Sequence, residues 1–175
     1  GEATCERAWR RWLAEARMHE LNVSDRLPAG ARLVVVAPHP DDEILACGGL
    51  VAAHAAQGGQ VLTVAVTEGE ASHDDPPGFN REALAETRRS ERLQGLRQLG
   101  LAQPAVLALA LDDGKVQAQR DTLLEHLMSL LHRDDVVVST WEHDGHPDHD
   151  STGWAVRLAC AAIGCTFLAA PVWMW

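Results

Sequence analysis

The chain has 175 residues, 46% of them hydrophobic, and its 15 Lys and Arg residues against 25 Asp and Glu residues give a formal net charge of -10. That length fits one domain with a single core. The excess negative charge argues against nucleic acid and anionic membranes as partners.

The N-terminal segment predicts an amphipathic helix. Charged residues interrupt its apolar positions, which argues against both a signal peptide and a membrane span. The apolar residues with helical spacing are Trp9, Trp12, Leu13 and Ala16. We therefore expect residues 1–30 to form an extension, with a helix from Ala8 to Leu21, that packs on a domain spanning residues 31–175.

Short apolar runs alternate with helical patterns along the rest of the chain. The runs typical of buried strands are ARLVVVA (31–37), QVLTVAVT (60–67), PAVLALAL (104–111), DDVVVSTW (134–141) and CTFLAAPVW (165–173). The helical patterns cover 43–56, 81–99, 116–133 and 151–163. This alternation predicts an α/β fold, a Rossmann-like three-layer α/β/α sandwich with a mainly parallel sheet.

Polar clusters follow the first and fourth predicted strands, as APHPDDE and STWEHDGHPDHD. In a doubly wound sheet with a strand order such as 3-2-1-4-5, these two loops lie side by side. Ligands of such folds bind there, beyond the carboxyl ends of the strands. The two loops are therefore the candidate functional site.

The residue types in these loops indicate a metal site. His39 and Asp42 lie three residues apart in the first loop, and His143, His146 and His149 recur at intervals of three in the second. Catalytic zinc takes three such nitrogen and carboxylate ligands and leaves the fourth position to water. A divalent cation would also offset the repulsion among the acids at 41–43.

Other interpretations of the same residues remain open. Acids at the start of a helix are favoured by capping and by the helix dipole alone. The HDGHPDH segment superficially resembles the HxHxDH cluster of metallo-β-lactamase-type enzymes, which hold two metal ions. The domain can also be a catalytically silent metal-binding or regulatory module.

Two paired motifs carry a family resemblance. PHPDDE followed by a glycine-bearing helix, and later HPDH, resemble the zinc-dependent PIG-L/LmbE-like N-deacetylases, which act on N-acetylglucosamine-type sugars and related amides. The similarity runs from Arg32 to about Trp175 and includes TEGE, ETRRSE, LGL and LDDG in the family's order. It implies a hydrolase that removes an acetyl group from a small N-acetylated sugar or sugar conjugate.

The resemblance also implies roles for individual residues. One zinc ion per chain would be held by His39, Asp42 and His149. Asp41 would be the general base. His146 would stabilise the oxyanion or protonate the leaving amine, with Asp148 orienting its ring. Arg88 would contact substrate hydroxyl or phosphate groups.

The sequence departs from the family pattern in two places. The TDGE-like segment reads TEGE, which puts Glu68 where relatives carry aspartate. The sequence ends at PVWMW, where relatives continue, so we expect a domain shortened at its C-terminus. The four cysteines form no CxxC motif, and we expect reduced thiols in a cytoplasmic protein.

Overall fold

The computed structural model describes residues 5–15, 23–28, 30–72 and 80–173. The helices are α1 (Glu6–Glu15), α2 (Val23–Arg26), α3 (Asp42–Leu45), α4 (Gly48–Ala56), α5 (Arg81–Gln98), α6 (Arg120–Leu130) and α7 (Pro147–Ile163), with a 3₁₀ helix at Val116–Gln119. The strands are β1 (Arg32–Ala37), β2 (Gln60–Ala65), β3 (Ala105–Ala108), β4 (Val136–Thr140) and β5 (Thr166–Ala170). Within the described ranges, every helix is too short or too polar to serve as a membrane span.

The described strands form one parallel sheet in the order β3-β2-β1-β4-β5, which confirms the predicted α/β class. Central strand β1 pairs with β2 on one side and with β4 on the other, where Val36 lies opposite Ser139. The chain winds outward from β1 to β3 and then returns to β4. The loops that follow β1 and β4 therefore emerge beside each other at the carboxyl edge of the sheet.

Both faces of β1 are buried, as its unbroken apolar run predicts. Val34 and Val36 pack in a cluster with residues of α6 and α7, including Leu123. Leu33 and Val35 belong to a second cluster that includes residues of α4. Each fully buried valine or leucine contributes roughly 1.5–3 kcal/mol, so the strand that carries the first site loop is firmly held.

Several helix boundaries differ from the prediction. The helix predicted over 43–56 is interrupted between α3 and α4. The helix predicted over 151–163 begins earlier, at Pro147, because proline suits the first helical position and the His146 side chain caps the helix by accepting from the Asp148 N–H.

Only the first part of the predicted N-terminal helix, up to Glu15, falls among the described residues, and none of the residues of α1 is buried. The packing of the extension on the domain stays a prediction.

An ion pair joins the two strands that carry the site loops. Arg32, at the start of β1, donates from Nη2 and Nε to the two carboxylate oxygens of Asp135, at 2.6 and 2.9 Å. The N–H of His132 donates to the same carboxylate at 2.7 Å. Burial alone would raise the pKa of Asp135, but these hydrogen bonds hold it below its usual range.

We expect Asp135→Asn to lower the free energy of unfolding by roughly 1.5–3 kcal/mol at neutral pH, because a charge-assisted bidentate contact is lost. A carboxylate with a lowered folded pKa stabilises above its unfolded pKa and loses that contribution as the pH falls through the folded value. The difference between variant and wild type should therefore shrink below pH 3.8, the ordinary aspartate value. Urea unfolding at neutral pH and at pH values below 3.8 measures this difference in the free energy of unfolding. Asp134→Asn, at an exposed neighbouring aspartate, is the control.

Helix α7 approaches the second site loop closely at Gly153. A Cβ there would lie 2.4 Å from the Thr140 carbonyl oxygen and 2.7 Å from the Glu142 nitrogen. The Thr140 hydroxyl also donates to the carbonyl of His149 at 3.0 Å, which ties the first turn of α7 to β4. This close contact fixes the helix that presents the HPDH motif.

Gly153→Ala should therefore destabilise the protein, because backbone atoms would have to move. Gly49→Ala makes the same change within α4, where nothing lies within 4 Å of the new Cβ. The control should be neutral or stabilising by up to about 1 kcal/mol. Thermal unfolding of both variants compares them, and equal melting temperatures would contradict the close-packing account.

Candidate active site

A cavity of about 380 Å³ opens at the carboxyl edge of the sheet, between the two predicted site loops. Most of the residues proposed from sequence lie on its wall: His39, Asp41, Asp42, Arg88, His146 and His149. Residues from other segments complete it: Leu45, Ala71, Ser72, Asp113, Gly114, Val172 and Trp173. The fold thus gathers side chains that are far apart in sequence.

Three ligand-type atoms converge at the floor of this cavity. His39 Nδ1 lies 3.2 Å from His149 Nε2 and 3.3 Å from Asp42 Oδ2, and His149 Nε2 lies 3.3 Å from the same Asp42 oxygen. Ligands of a tetrahedral zinc ion, with bonds of roughly 2.0–2.2 Å, lie about 3.3–3.6 Å apart. The donor chemistry and the spacing of these three atoms therefore fit one divalent metal ion.

The second nitrogen of His39 faces carboxylates. His39 Nε2 lies 3.2 Å from Asp148 Oδ2 and 3.3 Å from Asp113 Oδ1. Burial opposes the charged ring, but hydrogen bonds to Asp113, Asp148 and Asp42 raise the pKa of His39 to about 11. Nε2 therefore carries a proton and Nδ1 is directed toward Asp42 and His149, the second-sphere arrangement common to metal-bound histidines.

Asp148 differs from its expected role. Its carboxylate contacts His39 and accepts the N–H groups of Gly114 at 2.8 Å and Val116 at 3.1 Å. The side chain of His146 instead meets the backbone N–H of Asp148, at 3.3 Å. Asp148 is thus placed to orient His39. The sequence could not distinguish the two rings, because both lie within reach of a residue in HPDH.

Asp144 holds His149 in a similar way. His149 Nδ1 lies 2.7 Å from Asp144 Oδ2, so Nδ1 carries the proton and Nε2 faces His39 and Asp42. Burial lowers the pKa of His149, but Asp42 and Asp144 raise it above its ordinary value. The other oxygen of Asp144 accepts the backbone N–H groups of Val172 and Trp173, at 2.8 and 3.0 Å. One buried carboxylate thus orients a candidate ligand and anchors the segment after β5.

Asp41 has an unusual backbone conformation, with φ at 139°. Such residues cost about 1–3 kcal/mol and persist only where the surroundings hold them. Arg88 supplies much of that hold, since it donates to the Asp41 carboxylate at 3.2 Å, to the Pro40 carbonyl at 3.0 Å and to the Gly69 carbonyl at 3.2 Å. Burial and the neighbouring Asp42 raise the pKa of Asp41, while Arg88 opposes them.

The third acid of the motif, Glu43, points away from the candidate ligands. It is fully buried, and its Oε1 lies 3.7 Å from Nε of Arg92. Arg92 also pairs with Glu68 at 3.3 Å. The acids at 41–43 therefore meet different partners, and only Asp42 joins the imidazole pair. The glutamate that replaces the family's aspartate in TEGE belongs to this buried ion-pair network.

His146 lies at the cavity wall as the cap of α7. Its Nδ1 accepts the Asp148 N–H, so the neutral ring carries its proton on Nε2. Burial lowers the pKa of His146, and the nearby rings of His39 and His149 lower it further. The structure therefore favours a neutral His146 ring, which can still donate a hydrogen bond from Nε2.

His143 of the second loop lies outside the cavity. It is exposed, and its ring meets that of Trp141 edge-to-face, with centroids 5.2 Å apart.

Sequence reasoning missed Asp113, Asp144 and Trp173. Asp113 lies in the LDDG motif, and Asp144 lies two residues before His146. Either position could have identified its residue as a candidate for the site. Nothing local marks Trp173.

Comparison with known proteins gives a family match and several relatives. The family model described as "PIG-L: GlcNAc-PI de-N-acetylase" matches residues 34–160. A probable N-acetyl-alpha-D-glucosaminyl L-malate deacetylase 2 of Bacillus subtilis is 30% identical over 133 residues, covering 73% of this chain and 59% of the relative. A 1D-myo-inositol 2-acetamido-2-deoxy-alpha-D-glucopyranoside deacetylase of Streptomyces griseus is 33% identical over 149 residues, covering 70% and 46%.

Among solved structures, the N,N'-diacetylchitobiose deacetylase of Pyrococcus horikoshii, in complex with an inhibitor, matches with a TM-score of 0.66 and 24% identity. The match covers 92% of this chain and 60% of that protein, and it supports the shared fold. The chain spans less than two thirds of the length of each of these three proteins.

The contacts of Asp144 predict its effect on metal binding. An asparagine has one acceptor oxygen, whereas the carboxylate serves His149 and the N–H groups of Val172 and Trp173. Asp144→Asn should therefore weaken Zn²⁺ binding about 10- to 100-fold, the usual effect of losing a second-sphere partner. Competition with a chromophoric chelator measures the affinity. Asp121→Asn, at an exposed aspartate of α6, is the control, and equal affinities of the two variants would contradict the assigned contact.

Proposed function

The chain belongs to the PIG-L family of GlcNAc-PI de-N-acetylase-like proteins, and on that premise we propose that it is a zinc-dependent hydrolase. Its substrate would be a small N-acetylglucosamine-type sugar or sugar conjugate, from which it removes the acetyl group. The relatives support this class, since the Bacillus and Streptomyces proteins bear the names of deacetylases of glucosaminyl compounds.

One observation carries the proposal. His39 Nδ1, His149 Nε2 and the buried Oδ2 of Asp42 lie 3.2–3.3 Å from one another, while Asp148 contacts His39 Nε2 and Asp144 contacts His149 Nδ1. The pKa values of both rings are raised because the neighbouring carboxylates favour positive charge here, which protons supply in the free chain and a bound cation would supply in their place. The chain's hydrogen bonds thus prepare a site for positive charge at a point where the cavity is open.

Zinc is the metal that the donor set favours, because two imidazoles and one carboxylate suit it and leave a position for water. When bound, zinc would polarise the substrate carbonyl and acidify a water molecule. A second group of donor atoms includes Asp113 and Asp148 with His39. Those carboxylates already accept backbone N–H groups, so we assign them to orientation of His39 and propose one zinc ion per chain.

Asp41 is the proposed general base. Its carboxylate lies on the cavity wall beside Asp42, and its raised pKa makes it a better proton acceptor than an aspartate with the ordinary pKa. It would take a proton from the attacking water as the water oxygen bonds to the amide carbon. The same proton would then pass to the amine nitrogen as the carbon–nitrogen bond breaks, which yields acetate and the free amino sugar.

His146 is the proposed donor to the developing oxyanion. The neutral ring carries its proton on Nε2, since Nδ1 accepts the Asp148 N–H. A neutral imidazole positioned in this way stabilises negative charge on the carbonyl oxygen by donating its Nε2–H, and it need not first be protonated to imidazolium. The role of Asp148 in this proposal is to orient His39 and, through its backbone N–H, His146.

Arg88 would act on both Asp41 and the substrate. Its guanidinium already binds the Pro40 carbonyl and the Asp41 carboxylate, and it lines the cavity. We propose that it holds Asp41 in place and also contacts substrate hydroxyl groups.

The free cysteines among the described residues support a cytoplasmic location.

Asp41→Asn should keep zinc and lose deacetylation by about 10²- to 10⁴-fold, because the amide is isosteric but cannot accept the proton. The assay follows amine and acetate release from a panel of N-acetylated sugars and conjugates, with the zinc content of each protein measured in parallel. Retained activity would remove Asp41 from its role. If the wild type binds zinc but turns over no member of the panel, a silent binding module would be favoured. Two zinc ions per chain would favour a dinuclear hydrolase.

A further inference from the structure

Two large apolar side chains lie exposed on the wall of the candidate active site. Trp173 is 63% exposed and Leu45 is 67% exposed, and both line the cavity. Large exposed apolar side chains are costly to hydrate, and when they border a ligand cavity they commonly contact the ligand. The catalytic roles assigned above use neither residue.

Trp173 is held in place rather than loosely attached. Its backbone N–H donates to both oxygens of Asp144, at 3.0 and 2.9 Å, and the N–H of Val172 donates to the same side chain at 2.8 Å. Its indole meets the ring of His146 with centroids 5.0 Å apart and planes inclined by 62°. An aromatic side chain ordered before binding loses little conformational entropy when a ligand contacts it.

The rest of the cavity wall is strongly polar. Carboxylates, imidazoles and the guanidinium of Arg88 surround the candidate ligand atoms. A wholly apolar ligand would desolvate these groups without replacing their hydrogen bonds. A wholly polar ligand would leave the indole of Trp173 in contact with water. The cavity therefore suits a molecule with a polar rim and an apolar face.

We propose that Trp173, with Leu45 beside the same cavity, forms a binding subsite for the carbon–hydrogen face of a pyranose ring. A pyranose has hydroxyl groups around its edge and C–H bonds directed from its faces, and those C–H bonds are attracted to the negative face of an indole. The subsite rests on the proposed function for its ligand class. It makes Trp173 a specificity-determining residue that selects cyclic sugars over open-chain N-acetyl compounds.

The test measures binding without turnover. The methyl β-glycoside of N-acetylglucosamine is added to the zinc-loaded Asp41→Asn protein, and saturation-transfer difference NMR, with irradiation of the aromatic protons, maps which sugar protons contact the protein. Titration of the same signals gives the dissociation constant. We expect ring protons of one face of the sugar to receive the strongest transfer.

Substitutions at Trp173 in the same background test the assignment. Trp173→Ala should weaken binding about tenfold, a typical contribution of an aromatic contact with its buried area, and should abolish the one-face pattern. Trp173→Phe should retain most of the affinity, and Trp173→Leu should keep less because it lacks the aromatic face. Trp12→Ala removes an exposed tryptophan of α1 and should change neither quantity.

The outcomes separate this subsite from the proposed function. Equal binding by Trp173→Ala, or no transfer to the glycoside at all, overturns the subsite, and deacetylation by the Asp41-containing wild type would still support the function. Binding that depends on Trp173 while the wild type releases no acetate from any sugar supports the subsite and refutes the hydrolase. A one-face pattern that persists without Trp173 assigns the contact to another residue and overturns the inference.

Discussion

Three consecutive carboxylates at the end of a buried strand set the central electrostatic constraint of this protein. The fold gives each a different environment: Asp42 faces two imidazoles, Asp41 is bound by Arg88, and Glu43 is buried beside Arg92. Separating the acids in this way permits the proposed roles, with Asp42 as a metal ligand and Asp41 as the general base. The strained backbone at Asp41 is the local cost of turning adjacent side chains in different directions.

The parallel sheet converts this local arrangement into a site. Because strand order reverses between β1 and β4, the loop with His39 meets the helix start with His149. Close packing at Gly153 and the hydrogen bond from Thr140 fix that helix start on the sheet. The position of the ligand atoms thus depends on core packing as well as on the motifs.

Carboxylates that contact the candidate ligands connect the site to segments that carry none of those ligands. Asp148 and Asp113 join His39 to the loops around Gly114 and Ala71. Asp144 joins His149 to the backbone of Trp173. The orientation of the candidate ligands and the shape of the cavity wall therefore depend on the same buried side chains, which links the proposed metal site to the proposed substrate site.

The sequence by itself determined the α/β class and the identity of the two loops, because strand runs, helix periods and the PHPDDE and HPDH motifs are local signals. Only the tertiary structure decided which ring each carboxylate orients. Asp148 meets His39 rather than His146, and Glu43 meets Arg92, because those contacts depend on side-chain directions across 109 and 49 positions of separation. The position of Trp173 at the cavity could not be predicted from the local sequence either, because a residue that follows an edge strand acquires its neighbours only when the sheet is assembled.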